Sequence, residues 1–188
     1  MSENRFTDGN LIVMYAIRKN RSTDEMLPDY LKERIKICLD TFRIIMQSKA
    51  DKHKTFIIVV GNGKSVQTIR EELVKQGIDE RIIAIDSSSE TVAQTFDNIL
   101  KMINTRLNPP HIYFIAPVWL KDVYDSIVSS KLKGYKVQFE GVLDNRPVNE
   151  VENEKALEAP KKGVEHYKRK AKNKAIDMLL NYIFPEEK

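Results

Sequence analysis

Five short apolar runs, each followed by a stretch of helical periodicity or a polar tail, set the tightest limit on what this chain can fold into. The runs are LIVMYAI (11–17), TFIIVV (55–60), RIIAID (81–86), HIYFIAP (111–117) and GYKVQFEGV (134–142). Most are apolar nearly throughout, as strands buried on both faces are. Between them the period changes to steps of three and four. In 28–48, Leu31, Ile35, Cys38, Phe42 and Ile45 share one face; in 65–76, Val66, Ile69 and Leu73 do, and Gly77 follows as a stop. In 87–103 the stripe is Val92, Phe96, Ile99 and Ile103, and Ser87 and Glu90 have capping-box spacing. In 118–130 it is Leu120, Val123, Tyr124 and Ile127. NPP (108–110) reads as a turn.

Strands alternating with helices imply a parallel sheet covered on both faces, and right-handed crossovers then give a three-layer, doubly wound α/β fold. The expected sheet is five-stranded and mainly parallel, from 11–17, 55–60, 81–86, 111–116 and 135–140, in the order 3-2-1-4-5. Residues 1–142 form the expected core. The remainder, 143–188, reads as a polar loop with one short helix, then a basic helix, VEHYKRKAKNKAIDMLLNYIF (164–184). That helix is expected to pack Ala171, Ile176, Leu179 and Ile183 on the same domain.

In open α/β sheets, ligands bind beyond the carboxyl ends of the strands. Four loops fall there: RKNRSTDE (18–25), GNGKS (61–65), DSSSET (86–91) and APVW (116–119). GNGKS resembles the end of a phosphate loop, but a complete one needs a glycine five residues before Gly63, where Ile58 stands in a strand. This argues against ATP or GTP hydrolysis. Gly61, Asn62, Gly63, Lys64 and Ser65 still offer a tight turn and free N–H groups to one phosphate or carboxylate. A plain strand–helix turn capped by Ser65 explains them equally well. Ser87, Ser88, Ser89 and Thr91 offer hydroxyls at a second helix start, and Asp86 holds the one natural position for a general base. Arg18, Lys19 and Arg21 would suit an acidic ligand or form a solvated loop. Trp119, the single tryptophan, would stack on a ligand ring or pack.

No apolar run approaches the roughly 18 residues of a membrane span, and no apolar signal segment follows MSENRFTDGN, so a cytoplasmic protein is expected. The lone Cys38 lies in an apolar stripe and reads as an inert buried thiol. His53, His111 and His166 are too dispersed to suggest a metal site, and no cofactor is indicated. The formal charge of +4 comes largely from PKKGVEHYKRKAKNKA (160–175). A solvated helix face explains such a run more simply than a surface for polyanions.

From about Asn10 to Val142 the chain resembles the family of Rossmann-like domains of unknown function that includes the bacterial proteins YdcF, SanA and ElyC. Arg34 stands at that family's early helical arginine, VVGNG at its serine-glycine-glycine turn, and SSETVAQT at its S-x-N-T-x-E-N signature, with Ser88 and Thr91 kept. Glu90, Ala93 and Gln94 replace the signature's other polar residues, Ser65 stands for a glutamate, and Trp119 and Asp122 stand for a histidine and an arginine. The resemblance implies a nucleotide-like or phosphate-bearing ligand, with the activity undefined. Three classes stay open. One is a domain binding an anionic small molecule, with or without catalysis. The second is nucleic-acid or anionic-surface binding through the basic helix, and the third a non-catalytic interaction module.

Overall fold

A computed structural model of the chain describes residues 7–17, 27–48, 54–61, 65–105, 107–109 and 111–158. Its strands are β1 (Thr7–Tyr15), β2 (Lys54–Val60), β3 (Ile83–Asp86), β4 (Leu107–Asn108), β5 (Ile112–Pro117) and β6 (Val137–Val142). The helices are α1 (Asp29–Gln47), α2 (Ser65–Lys75), α3 (Val92–Thr105), α4 (Lys121–Lys131) and α5 (Val148–Glu158). The five main strands run β3-β2-β1-β5-β6, every pair parallel, which is the order expected from the sequence. The fold is Rossmann-like α/β.

Alternate residues of β1 serve opposite layers. Ile12, Met14 and Ala16 pack with Leu31, Ile35 and Cys38 of α1 and Val66, Ile69 and Leu73 of α2. Leu11, Val13 and Tyr15 pack with Val92, Phe96 and Ile99 of α3 and Tyr124 of α4. Both faces of the central strand are therefore dry, which accounts for its unbroken apolar sequence.

Gly77 ends α2 as expected. Its φ of +91° allows the Ile78 N–H to reach the Leu73 carbonyl (3.2 Å) while its own N–H bonds that of Val74 (2.9 Å). No described helix is long and apolar enough to cross a membrane.

Several boundaries differ from expectation for physical reasons. The third helix begins at Val92 rather than at Ser87, because the Asp86 carboxylate takes the Ser88 and Ser89 N–H groups and holds them out of the helix. Thr91 caps it, its hydroxyl accepting from the Gln94 N–H (3.2 Å), so the Ser87–Glu90 spacing is not the cap. Where a turn was expected at 108–110, Leu107–Asn108 adds a short strand beside Thr7–Asp8. Asn108 precedes a proline, which favours extended backbone. The last strand starts at Val137, two residues late, since Gly134 (φ +100°) and the Tyr135 N–H to Leu132 carbonyl bond hold 132–135 in a turn.

The compact unit that holds the sheet extends to Glu158, so the loop after β6 and the helix α5 belong to the same unit as the sheet. Residues 159–188, which include the basic helix and its expected apolar side, lie outside the described residues.

Candidate functional site

The carboxyl ends of β1, β2 and β3 lie level. Tyr15 pairs with Val60, and Val60 with Asp86. The ladder runs one step further through Ala16 N–H to Val60 O (2.6 Å) and Gly61 N–H to Asp86 O (3.0 Å). A side chain at Gly61 would meet the Ala16 carbonyl oxygen and Val66 Cγ1, both at 2.8 Å. Backbone packing alone thus requires this glycine. Ser65 opens α2. Arg18, Lys19, Arg21, Asn62, Gly63 and Lys64 lie outside the described residues.

After β3, one carboxylate organises the loop. Asp86 Oδ1 accepts from the Ser88 N–H (2.9 Å), the Ser88 hydroxyl (2.7 Å) and the Ser89 N–H (3.2 Å). Its Oδ2 accepts from the Ser89 hydroxyl (2.5 Å) and from Asn98 Nδ2 (3.1 Å), which also reaches both serine oxygens at 3.0 Å. Burial pushes the Asp86 pKa up, but the hydrogen bonds from Ser89, Ser88 and Asn98 outweigh it and leave it below the usual carboxylate value. Such a group attracts protons weakly, so Asp86 is built as an anchor. The Ser88 and Ser89 hydroxyl protons point to Asp86, Thr91 is engaged as the cap, and Ser87 is exposed. Of the backbone N–H groups here, those of Ser88 and Ser89 go to Asp86, that of Glu90 to Gln94 Oε1 (2.7 Å) and that of Val92, the first residue of α3, to Glu158, so a ligand at this loop would have to take over one of these bonds.

A second cluster stands where the strand order reverses, between β1 and β5. This is the usual ligand crevice of such sheets. Arg34 of α1 is 2 % exposed and donates to the Tyr15 carbonyl (3.0 Å), and its other amino group lies 3.4 Å from Asp144. Arg146 forks onto Asp144 through Nε (2.8 Å) and Nη2 (2.6 Å). It also forks onto Glu154 through Nη1 (2.7 Å) and Nη2 (2.8 Å). The Trp119 indole N–H donates to Asp144 Oδ2 (3.1 Å), so this tryptophan orients the carboxylate while its ring packs on the core. The Tyr30 ring lies under both arginines, its centre 4.3 Å from the Arg146 guanidinium carbon and 5.1 Å from that of Arg34. Tyr15 donates its hydroxyl to Glu158 Oε1 (2.7 Å), and Glu158 Oε2 accepts the Val92 N–H (3.0 Å).

Burial pushes the Arg34 guanidinium down to about 10, against the pull of Asp144. Burial also favours neutral Asp144, but bonds from Arg146 and Trp119 leave its carboxyl below the usual range. Arg146 is held above its ordinary value by Asp144 and Glu154 although burial opposes its charge. Tyr15 is raised well above its ordinary value by burial and then by Glu158.

Sequence reasoning singled out Trp119 and, through the resemblance, Arg34, but did not join them to Asp144, Arg146 and Glu154. A further signal was Arg34 as a cation three residues after Leu31 and next to Ile35 on the apolar face of α1, where a charge needs a buried partner. Among the described residues, no three histidine, cysteine or acidic side chains stand together to hold a metal ion. In comparisons with protein-family models, curated proteins and solved structures, no match was found.

Proposed function

We propose that this chain binds a small anionic molecule, nucleotide-like or phosphate-bearing, at the carboxyl edge of its sheet, as a divergent relative of the YdcF, SanA and ElyC domains. The observation that carries the reading is the level ending of β1, β2 and β3. It starts the loops at 18, 61 and 87 from one edge and sets two helix N-termini, those of α2 and α3, beside it. Helix N-termini present unpaired N–H groups and positive partial charge to an anion. Lys64 and the cations Arg18, Lys19 and Arg21 would add full charges. The ligand is bound rather than transformed: the best-placed carboxylate, Asp86, is spent on its own loop.

The test is a thermal-shift screen of the full chain against inorganic phosphate, ATP, a sugar phosphate and a polyprenyl phosphate. A ligand at a hundred times its Kd stabilises by about 2.7 kcal/mol, roughly 5–10 °C for a chain of this size. The shift should vanish in Lys64→Ala/Ser65→Ala. A shift unaffected by that double change but lost on replacing Lys168, Arg169, Lys170, Lys172 and Lys174 would move binding to the basic segment and favour a polyanion partner. No shift with any probe would refute the reading.

A further inference from the structure

The start of α3 is already occupied. The Glu158 carboxylate, 8 % exposed, takes the N–H of Val92, the first residue of that helix, through one oxygen and the Tyr15 hydroxyl through the other. The two donors come from different elements, the end of β1 and the start of α3, and they converge at the reversal point of the sheet. A phosphate or carboxylate oxygen pair would use them in the same way.

The helix that delivers Glu158 is attached unusually. Among the described side chains of α5, the buried ones are Glu154 and Glu158, one turn apart on the same face, and Val148 is 75 % exposed. The first carboxylate is clamped by the Arg146 fork and the second by Tyr15 and α3. The described contacts holding α5 to the sheet are thus charge and hydrogen bonds rather than an apolar stripe. An anion from solution could take over the same two donors.

We propose that α5 is an autoinhibitory strap: Glu158 stands in for the ligand's anionic group at the α3 N-terminus, and ligand binding displaces it. This rests on the reading of the sheet edge as an anion site. A site closed by its own chain binds with its intrinsic affinity reduced by the fraction of molecules that are open. Removing Glu158 therefore raises affinity without adding a contact.

The experiment titrates inorganic phosphate and ATP, at constant ionic strength, into the full-length wild type, Glu158→Gln, Glu158→Ala and Glu152→Ala. Glu152 is on the same helix and pairs with Lys155 at the surface. Glu158→Ala should tighten binding about tenfold or more and Glu158→Gln by less, with Glu152→Ala unchanged. Hydrogen exchange on the wild type gives the second reading, independent of whether the variants fold: amides of 148–158 should lose protection when phosphate or ATP is added. Equal affinity in wild type and Glu158→Ala, or ligand binding with α5 protection kept, overturns the strap and leaves the anion site standing. Failure of every protein to bind either probe overturns both.

Discussion

Replacing Asp144 by alanine should be among the most damaging single changes in this domain. Its side chain is 3 % exposed and receives the Arg146 guanidinium twice, the Arg146 backbone N–H once, Trp119 once and the nearby Arg34. Without it, Arg146 keeps Glu154, but Arg34 is left among its described contacts with the Tyr15 carbonyl and the Tyr30 ring and no carboxylate bonded to it. Removing one partner of a buried ion network costs about 3–5 kcal/mol, because it strands the charges that remain. At about 2–4 °C per kcal/mol, the melting temperature should fall by roughly 6–20 °C. The control is Asp125→Ala, which breaks a pair with Lys121 of equally short distance but about half exposed on each side. It should cost no more than about 1 kcal/mol. Urea unfolding measures both, and a cycle with Arg146→Met should show coupling of about 0.5–3 kcal/mol. The pH dependence follows from the lowered Asp144 pKa. Its stabilisation is present above the unfolded carboxylate value of about 3.9 and is lost as pH falls through the folded value. The gap between wild type and Asp144→Ala should therefore close in acid. A loss below about 1 kcal/mol at neutral pH, or strict additivity with Arg146→Met, would refute the account.

Asn98→Ala, which removes the donor shared by Asp86, Ser88 and Ser89, should destabilise by about 1–3 kcal/mol and raise hydrogen exchange at 87–91. Asp86→Asn should weaken the acid dependence of stability in the same direction as Asp144→Ala, since the Asp86 pKa is also lowered. Gly61→Ala should cost about 1–3 kcal/mol in urea unfolding, because the new methyl meets a backbone oxygen as well as Val66. Cys38 is fully buried and its thiol is pushed up to about 12 by burial. Native protein should thus react with a disulfide reagent at least about a thousandfold more slowly than unfolded protein, read from the absorbance of the released thiolate.

The fold was legible because its strongest signals are local. LIVMYAI, TFIIVV and HIYFIAP are dry on both faces, and no other common arrangement suits such runs separated by amphipathic helices. Gly77 announced its helix end by the same local logic. The site was less legible because its parts meet only in three dimensions. Arg34 and Asp144 are 110 residues apart, and Tyr15 and Glu158 are 143 apart. In the segment after β6, the described buried side chains are the carboxylates Glu154 and Glu158, so no apolar stripe among them marked it as structural. The loop DSSSET drew attention for its hydroxyls, yet those of Ser88 and Ser89 turn inward onto Asp86.

The placement of β1 has a consequence for how the chain is made. The strand that stands at the centre of the finished sheet is made before the other described strands. One side of it is covered by β2, at Lys54–Val60, but the other waits for Ile112 and its neighbours. About fifty residues of translation separate the two events, on the order of 3–10 s at ~5–20 residues per second. Through that interval the backbone groups of Leu11–Met14, among the most apolar segments of the chain, form an open edge, the kind that recruits other chains. A ribosome stalled shortly before Ile112 would therefore hold an intermediate that chaperones should bind through β1. The same ribosome stalled well beyond Val142, with β5 and β6 clear of the exit tunnel, should release it.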